Sequence, residues 1–357
     1  MSLRDVFDVA IVGAGPAGAS TAIALARAGA RTLLLGGGSR TAPFGEMLPP
    51  AAAGRLDCLG VLPEFLAAGH QPTPGIVREW EDGPEQVSDF LTSPFGNGWH
   101  IDRPAFERML RRQARTCGAV VRAARLDSFE RGRGAWELML DNSGKRHVCR
   151  SGYLLDATGR ACFVARRAGA RCTALDRLVG LGGIWRGDCP GRDSWGCIRA
   201  VETGWWYTAA LPHSRRAAVL MTDADLIQRC GHGWRDHWKT RARSTSIGAP
   251  PASRIGFRSS CARTQWLDPP AGPGWLALGD AALARDPLSA TGIVWAMDSG
   301  IRAAQAIAVG ESLGYVGWVS AEREEYLVRR QYYYSVVRRW PRSDFWSRRR
   351  HPDQEVL

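Results

Sequence analysis

Residues 7–13, FDVAIVG, alternate into a buried strand that ends on glycine. The alanine-rich run that follows predicts a helix over 17–29. Thr32 to Leu35 is a second apolar strand, so the chain opens with a strand–helix–strand unit. In FGEMLPPAAAGRLDCLGV a double proline fixes the start of a short helix. Residues 71–99 read as strands and turns. IDRPAFERMLRRQARTCGA predicts a helix with Asp102 at its N-cap and Pro104 in its first turn. Phe106, Met109 and Leu110 share one face of it. Residues 119–150 alternate like a meander, with DNSGK (141–145) as its turn. YLLDATGR, 153–160, is a strand ending in a glycine turn.

From 171 to 265 the pattern becomes strand-like, tryptophan-rich and broken by glycine, as in GLGGIWRG, GWWYTAALP and RAAVLMTD. This predicts a second, mostly antiparallel sheet. Residues 275–308 return to strand, loop and helix. From about 317 the chain is helical, then basic and aromatic: YLVRRQYYYSVVRRWPRSDFWSRRR.

The first turn carries chemistry. Gly13, Gly15 and Gly18 form GxGxxG, with Pro16 and Ala17 between them. The first glycine permits the tight turn. The second lets backbone approach a pyrophosphate, and the third lets the helix pack on the sheet. The helix N-terminus then offers N–H groups and a positive dipole end to the phosphates. One expected feature is missing. The second strand of such a unit normally ends in an acid that holds a ribose hydroxyl. Here Leu35 runs into Gly36, Gly37 and Gly38. Backbone N–H groups of those glycines, or Arg40, are the candidates to serve the adenosine side.

Composition narrows the class. The 357 residues suffice for one large domain or two intimate ones. No apolar run reaches the ~20 residues of a membrane span. The N-terminus enters a strand without a leader layout. Nine scattered cysteines and scattered histidines predict reduced thiols, a cytosolic setting and no metal site. The net charge of +12 is almost all arginine, because Lys145 and Lys239 are the only lysines. Such an excess fits an anionic partner. Its spread along the chain speaks against nucleic acid, which calls for a basic patch and a recognisable module.

Three stretches fall into a known order: GAGPAG, then DATGR, then GDAALARDPLSATGI. Together they resemble the flavin-dependent monooxygenases and halogenases of the aromatic-hydroxylase type. GEMLPP, GWWYTAALP and the arginine–aromatic tail look like a narrower group, the flavoproteins that hydroxylate peptidyl tryptophan during quinone-cofactor maturation. The resemblance implies an α/β fold with a Rossmann-type FAD-binding domain, a β-rich substrate domain and C-terminal helices. It divides the chain into FAD-binding segments (1–70, 96–170, 270–310), substrate segments (71–95, 171–269) and a tail (311–357). It implies that Gly279 and Asp280 approach the ribityl chain. Asp286, Pro287, Gly292 and Ile293 would lie beside the ring system and pyrophosphate, with Arg103 near the cofactor.

The implied chemistry is hydroxylation of an indole or phenol ring through a flavin C4a-hydroperoxide. FAD and molecular oxygen are then the cofactors. Electrons would come from NAD(P)H or a partner reductase. The preferred substrate is a tryptophan in a peptide or protein client. Alternatives are a free or carrier-bound aromatic, a geranylgeranyl-reductase-like reaction, and a flavoprotein chaperone without turnover. Flavin halogenases use a lysine beyond the first glycine motif, and none lies between 1 and 144 here. Their W-x-W-x-I-P motif is also incomplete, since Tyr207 and Ala209 follow Trp205 at the matching steps. Glu46 is the candidate acid or base, or else a carboxylate capping the helix after Pro49. Trp205, Trp206 and Tyr207 are the candidate substrate wall, and ordinary inter-sheet packing is the competing reading. The tail arginines either dock an acidic partner or pair with Glu322, Glu324, Glu325 and Asp344 to clamp the tail. The clamp is favoured because the tail aromatics need burial.

Overall fold

A computed structural model describes residues 6–36, 44, 46–90, 92–187, 194–229, 231–245 and 256–350. Gly37, Gly38 and Arg40 lie outside the described residues. The strand Val6–Val12 sits at the centre of an eight-stranded sheet. It pairs in parallel with Lys145–Asp156 on one side and Thr32–Leu35 on the other. Val120–Arg122 and Trp275–Ala277 extend the parallel part outward. Parallel strands are covered on both faces and therefore read as unbroken apolar runs. TLLL is such a run, and all four residues are buried.

The helix Pro16–Arg27 packs on Gly292–Val309 at very short range. A Cβ at Gly300 would come within 2.8 Å of Thr21 Oγ1. The expected capped helix is Arg103–Thr116, and Asp102 accepts a hydrogen bond from the Ala105 N–H at 3.0 Å. The expected meander runs Arg125–Arg131, Trp136–Asn142, Lys145–Asp156. Its turn places Ser143 and Gly144 at φ 53° and 87°, as a two-residue hairpin loop of primed type requires.

The second layer is a seven-stranded sheet in the order 256–261, 178–186, 215–223, 204–211, 196–201, 75–79, 86–89. It is antiparallel apart from the parallel pair Gly196–Val201 with Gly75–Glu79. The helices Ala224–Gln228 and Trp234–Ser244 interrupt a region whose pattern predicts strands alone. The longer one lies against the sheet's far face, where Trp238 packs on Trp206 with ring centroids 5.2 Å apart. Its indole N–H reaches the Leu181 carbonyl at 2.9 Å.

That arrangement corrects the expected substrate wall. Successive strand residues face opposite sides. On Gly204–Leu211, Trp205 and Tyr207 join the inner cluster with Met47, Ile76, Ile198 and Val219. Trp206 points the other way, among Leu181, Trp185, Leu220 and Trp238. Trp205 is 1 % exposed and hydrogen-bonds Tyr334 of the tail at 3.1 Å. Both tryptophans are therefore packing residues, and Tyr207 shares the inner face with Trp205. Trp206→Ala is expected to cost about 3–5 kcal/mol in urea unfolding. FAD affinity should stay unchanged, and a weakened FAD titration without loss of stability would return Trp206 to the site.

The tail is clamped. The helices Ser312–Ser335 and Asp344–Arg350 close over the inner sheet face. Arg229 pairs with Asp344 at 2.8 Å and Arg339 with Asp82 at 3.1 Å, while Arg329 pairs with Glu325 inside the tail helix itself. Arg349 is fully buried against Asp223 at 2.6 Å. Burial opposes its charge, but Asp223 holds the guanidinium above its ordinary value. The aromatics Tyr334, Phe345 and Trp346 form one buried group with Trp80.

Candidate functional site

The glycine turn separates two requirements. Gly13 has φ 111°, and a Cβ there would overlap the Ala157 carbonyl. A Cβ on Gly18 would overlap the Gly13 carbonyl. Those two glycines serve the fold. Gly15 is different, because no atom lies within 4 Å of where its Cβ would be. It is the N-cap of a helix with no side-chain cap and no acid in its first turn. An open cradle of backbone N–H groups at a helix start is what a pyrophosphate requires.

The missing acid has a steric cause. Gly36 sits at φ 135°, and its Cβ would lie 3.0 Å from the Ala14 nitrogen. Its own N–H is used by the Arg122 carbonyl at 3.0 Å. Strand end and glycine turn approach too closely there for a side chain. Of the glycine run, Gly36 therefore offers no free N–H.

The later motif folds onto the same helix. Gly279 has φ 54° and donates its N–H to Ser299 Oγ at 2.8 Å. A Cβ on it would come within 2.9 Å of Ala17 Cβ. Asp280 is thus carried to the start of the first helix. Arg160, from DATGR, sits 3.6 Å from Asp280 and also donates to the Arg285 carbonyl at 2.9 Å. Asp156 of that motif faces inward. Its carboxylate accepts N–H groups from Thr158, Val164 and Ala165 at 2.8–2.9 Å and organises the turn.

Asp286 does not reach outward either. It is 2 % exposed and accepts from Leu288 N at 2.8 Å and Tyr334 Oη at 2.6 Å. Arg330 stands 3.9 Å away and bonds Asp176 at 2.9 Å. Burial pushes the Asp286 carboxyl up from its ordinary value against the pull of Arg330. Its carboxylate shapes the Pro287–Ser289 turn and ties the loop to the tail helix. Ile293 likewise turns its side chain into the core, leaving its backbone for any ligand. Gly292 opens the helix Gly292–Val309 with nothing within 4 Å of its Cβ position.

Glu46 pairs with Arg103, not with the helix after Pro49, which has no side-chain cap. Arg103 also bonds Glu107 at 2.8 Å, and Arg111 links Glu107 to the Ala14 carbonyl at 3.3 Å. Burial opposes the charge on Arg103, but Glu46 and Glu107 hold its guanidinium above the ordinary value. A chain of polar contacts thus runs from Glu46, on a small three-stranded sheet with residues 98–101 and 71–73, to the glycine turn. Beside it, Tyr207 Oη is buried without a partner, and burial and then Glu46 push its phenol up. Both ring nitrogens of His100 are also unpartnered, and burial holds that imidazole down at about 4, hence neutral.

A groove of about 290 Å³ opens between the second sheet, the 285–291 loop and the tail helix. Ile76, Ile198 and Leu288 supply apolar wall, and Trp80, Tyr326 and Tyr333 add rings. Arg78, Glu81, Arg285, Glu322, Glu325 and Arg329 rim it. Sequence reasoning missed this groove because its wall comes from segments more than 200 residues apart. It also missed Arg160 and Arg285, whose partners lie far along the chain. Among the described residues, no cluster of His, Cys, Asp and Glu is placed to hold a metal. No described helix is long and apolar enough to cross a membrane.

Known proteins resemble this chain in sequence and fold. LodB of Marinomonas mediterranea, described as an FAD-dependent oxidoreductase, is 27 % identical, with 96 % of each chain covered. The fold matches the myxobacterial chondrochloren halogenase CndH at a TM-score of 0.86 and 21 % identity, covering 97 % of this chain and 86 % of that one. It matches the peptidyl tryptophan dihydroxylase QhpG at 0.79 and 23 %, covering 96 % and 78 %. The family described as "FAD binding domain" matches residues 6–196. With that match over more than half its length, the chain belongs to the FAD-binding-domain family and is a flavin-dependent oxidoreductase.

Proposed function

We propose that the protein hydroxylates an aromatic ring, and that the ring is a tryptophan side chain presented on a peptide or partner protein. The observation that carries this reading is the groove beside the 285–291 loop. At about 290 Å³ it sits at the lower edge of the ~300–1,000 Å³ of small-molecule pockets. It holds one large side chain, and its mouth of paired ions suits the polar backbone on either side. The name of QhpG, a peptidyl tryptophan dihydroxylase, agrees with this direction, and that of LodB with an FAD-dependent oxidoreductase.

FAD, when bound, supplies the activation of dioxygen. NAD(P)H or a partner reductase supplies the electrons. The chain's own work is to hold and to shield. The Gly13–Gly18 turn and the helix behind it would hold the pyrophosphate, and Asp280 would accept from ribityl hydroxyls. Ile76, Ile198 and Leu288 grip the ring and keep water from it. The site has no lysine to divert the reaction toward halogenation. Lys145 lies in the exposed meander turn, and Lys239 sits on the outer helix, paired with Asp236 at 2.9 Å.

The test uses a peptide with one tryptophan, free tryptophan, chemically reduced FAD, air and excess bromide. The expected product is the peptide carrying added oxygen, formed faster than from the free amino acid. Bromination of the ring, or equal turnover of free tryptophan, would count against the proposal.

A further inference from the structure

Two polar side chains where the small sheet meets the seven-stranded sheet have no protein partner. His100 is 0 % exposed, and neither of its ring nitrogens is hydrogen-bonded. Among the described residues it is the one with two buried, unpartnered side-chain atoms. Tyr207 Oη is buried and unpartnered as well. A buried polar group left unpaired costs stability, and proteins keep one where another molecule fills it.

The fold brings these groups to one place. Gly98–Ile101 pairs with Glu46–Leu48, and Met47 lies opposite His100. Both side chains project onto Gly196 of the seven-stranded sheet, where a Cβ would lie 3.3 Å from His100 Nε2 and 3.8 Å from Met47 Sδ. On the next strand Tyr207 lies opposite Ile198, diagonal to Gly196. Diagonal positions on one face are ~7–8 Å apart, within reach of long side chains. Tyr207 and Met47 also share a packed cluster with Leu288 and Ala290 of the 285–291 loop. Arg103 reaches the same corner through Glu46, the carboxylate that acts on the Tyr207 phenol.

The chemistry of the pair says what fills it. Burial holds the His100 imidazole neutral, so it offers one N–H donor and one nitrogen acceptor. A neutral phenol both donates and accepts. Such a set matches a flat edge on which carbonyl oxygens flank a ring N–H, and the pyrimidine side of a flavin is such an edge. We propose that Tyr207 Oη and the His100 imidazole hydrogen-bond the polar edge of the flavin ring system. Tyr207 comes from the seven-stranded sheet and His100 from the small one, so the bound ring ties the two layers together. This inference rests on the FAD assignment and not on the identity of the client.

The test uses Tyr207→Phe and His100→Leu, each read first without cofactor. Removing an unpartnered buried polar group does not weaken the fold, so the melting temperature of the cofactor-free protein should hold or rise. FAD affinity, titrated by absorbance, is expected to fall about three- to tenfold in each variant. The flavin band near ~450 nm should also shift, because hydrogen bonds to the ring tune its electronics. Tyr207→Phe decides alone if His100→Leu folds poorly. A lower melting temperature with FAD affinity and spectrum unchanged would mean that a buried water fills these groups, and would overturn the proposal. FAD affinity and spectrum unchanged at an unchanged melting temperature would overturn it too. Weakened FAD binding in the variants, with no oxygenated peptide from the parent protein, would leave the contact standing and remove only the hydroxylase reading.

Discussion

Gly15→Val folds and loses its cofactor. The backbone at Gly15 has φ −78° and ψ −172°, which any L-residue adopts, and its Cβ meets open space. A valine there therefore leaves the melting temperature of the cofactor-free protein within a few degrees of the parent. Its methyl groups occupy the cradle in which the pyrophosphate must sit. FAD affinity is expected to fall at least ~100-fold, a loss of about 2.7 kcal/mol or more. Gly13→Ala is the contrasting variant. Its Cβ would overlap the Ala157 carbonyl in a left-handed backbone, so the strand crossing itself has to move. That variant should be poorly folded with or without FAD. Circular dichroism separates the two, and flavin absorbance retained after gel filtration reports the cofactor. A Gly15→Val protein that keeps its flavin would remove the pyrophosphate from this turn.

Asp223→Ala releases the tail. Asp223 is 1 % exposed and takes three guanidinium contacts: Arg348 at 3.0 Å, and Arg349 at 3.1 and 2.6 Å. Removing the carboxylate strands a wholly buried cation, which costs about 3–5 kcal/mol. Phe345 and Tyr334 stack on that cation at 3.6 and 5.2 Å, so the loss spreads through the tail aromatics. Tyr334 in turn holds Asp286, and Asp286 shapes the loop beside the groove. Urea unfolding should show the full loss, and limited proteolysis should cut the tail first. Asp223→Ala combined with Arg349→Met is expected to recover part of it, because a charge-free, similar-volume packing replaces the stranded ion. If the double variant is no more stable than the single, the pair is not the clamp.

Local signals were legible in the chain, and long-range pairings were not. The glycine turn, the Asp102 cap and the DNSGK hairpin each depend on residues a few positions apart. The tail clamp was legible for a different reason: Tyr334, Phe345 and Trp346 are too apolar to stay in water. Trp206 was misread because alternation fixes that neighbours face opposite sides without saying which side holds the site. That is decided by the helix Trp234–Ser244, which covers the far face. The contacts of Asp286 were not legible for a similar reason. Its partner Tyr334 is 48 residues away, and Arg330 is held by Asp176, 154 residues away. The glycine at 36, which looked like a missing acid, follows from its approach to Ala14, and no pattern along the chain announces that approach.

The most direct test of the account is the origin of the product's oxygen. The FAD-loaded protein would be reduced without air, mixed with a single-tryptophan peptide, and exposed to isotopically heavy dioxygen in ordinary water. The account predicts heavy oxygen on the tryptophan ring, with no product when dioxygen is withheld. Oxygen drawn from water, or reoxidised flavin with an unchanged peptide, would contradict it.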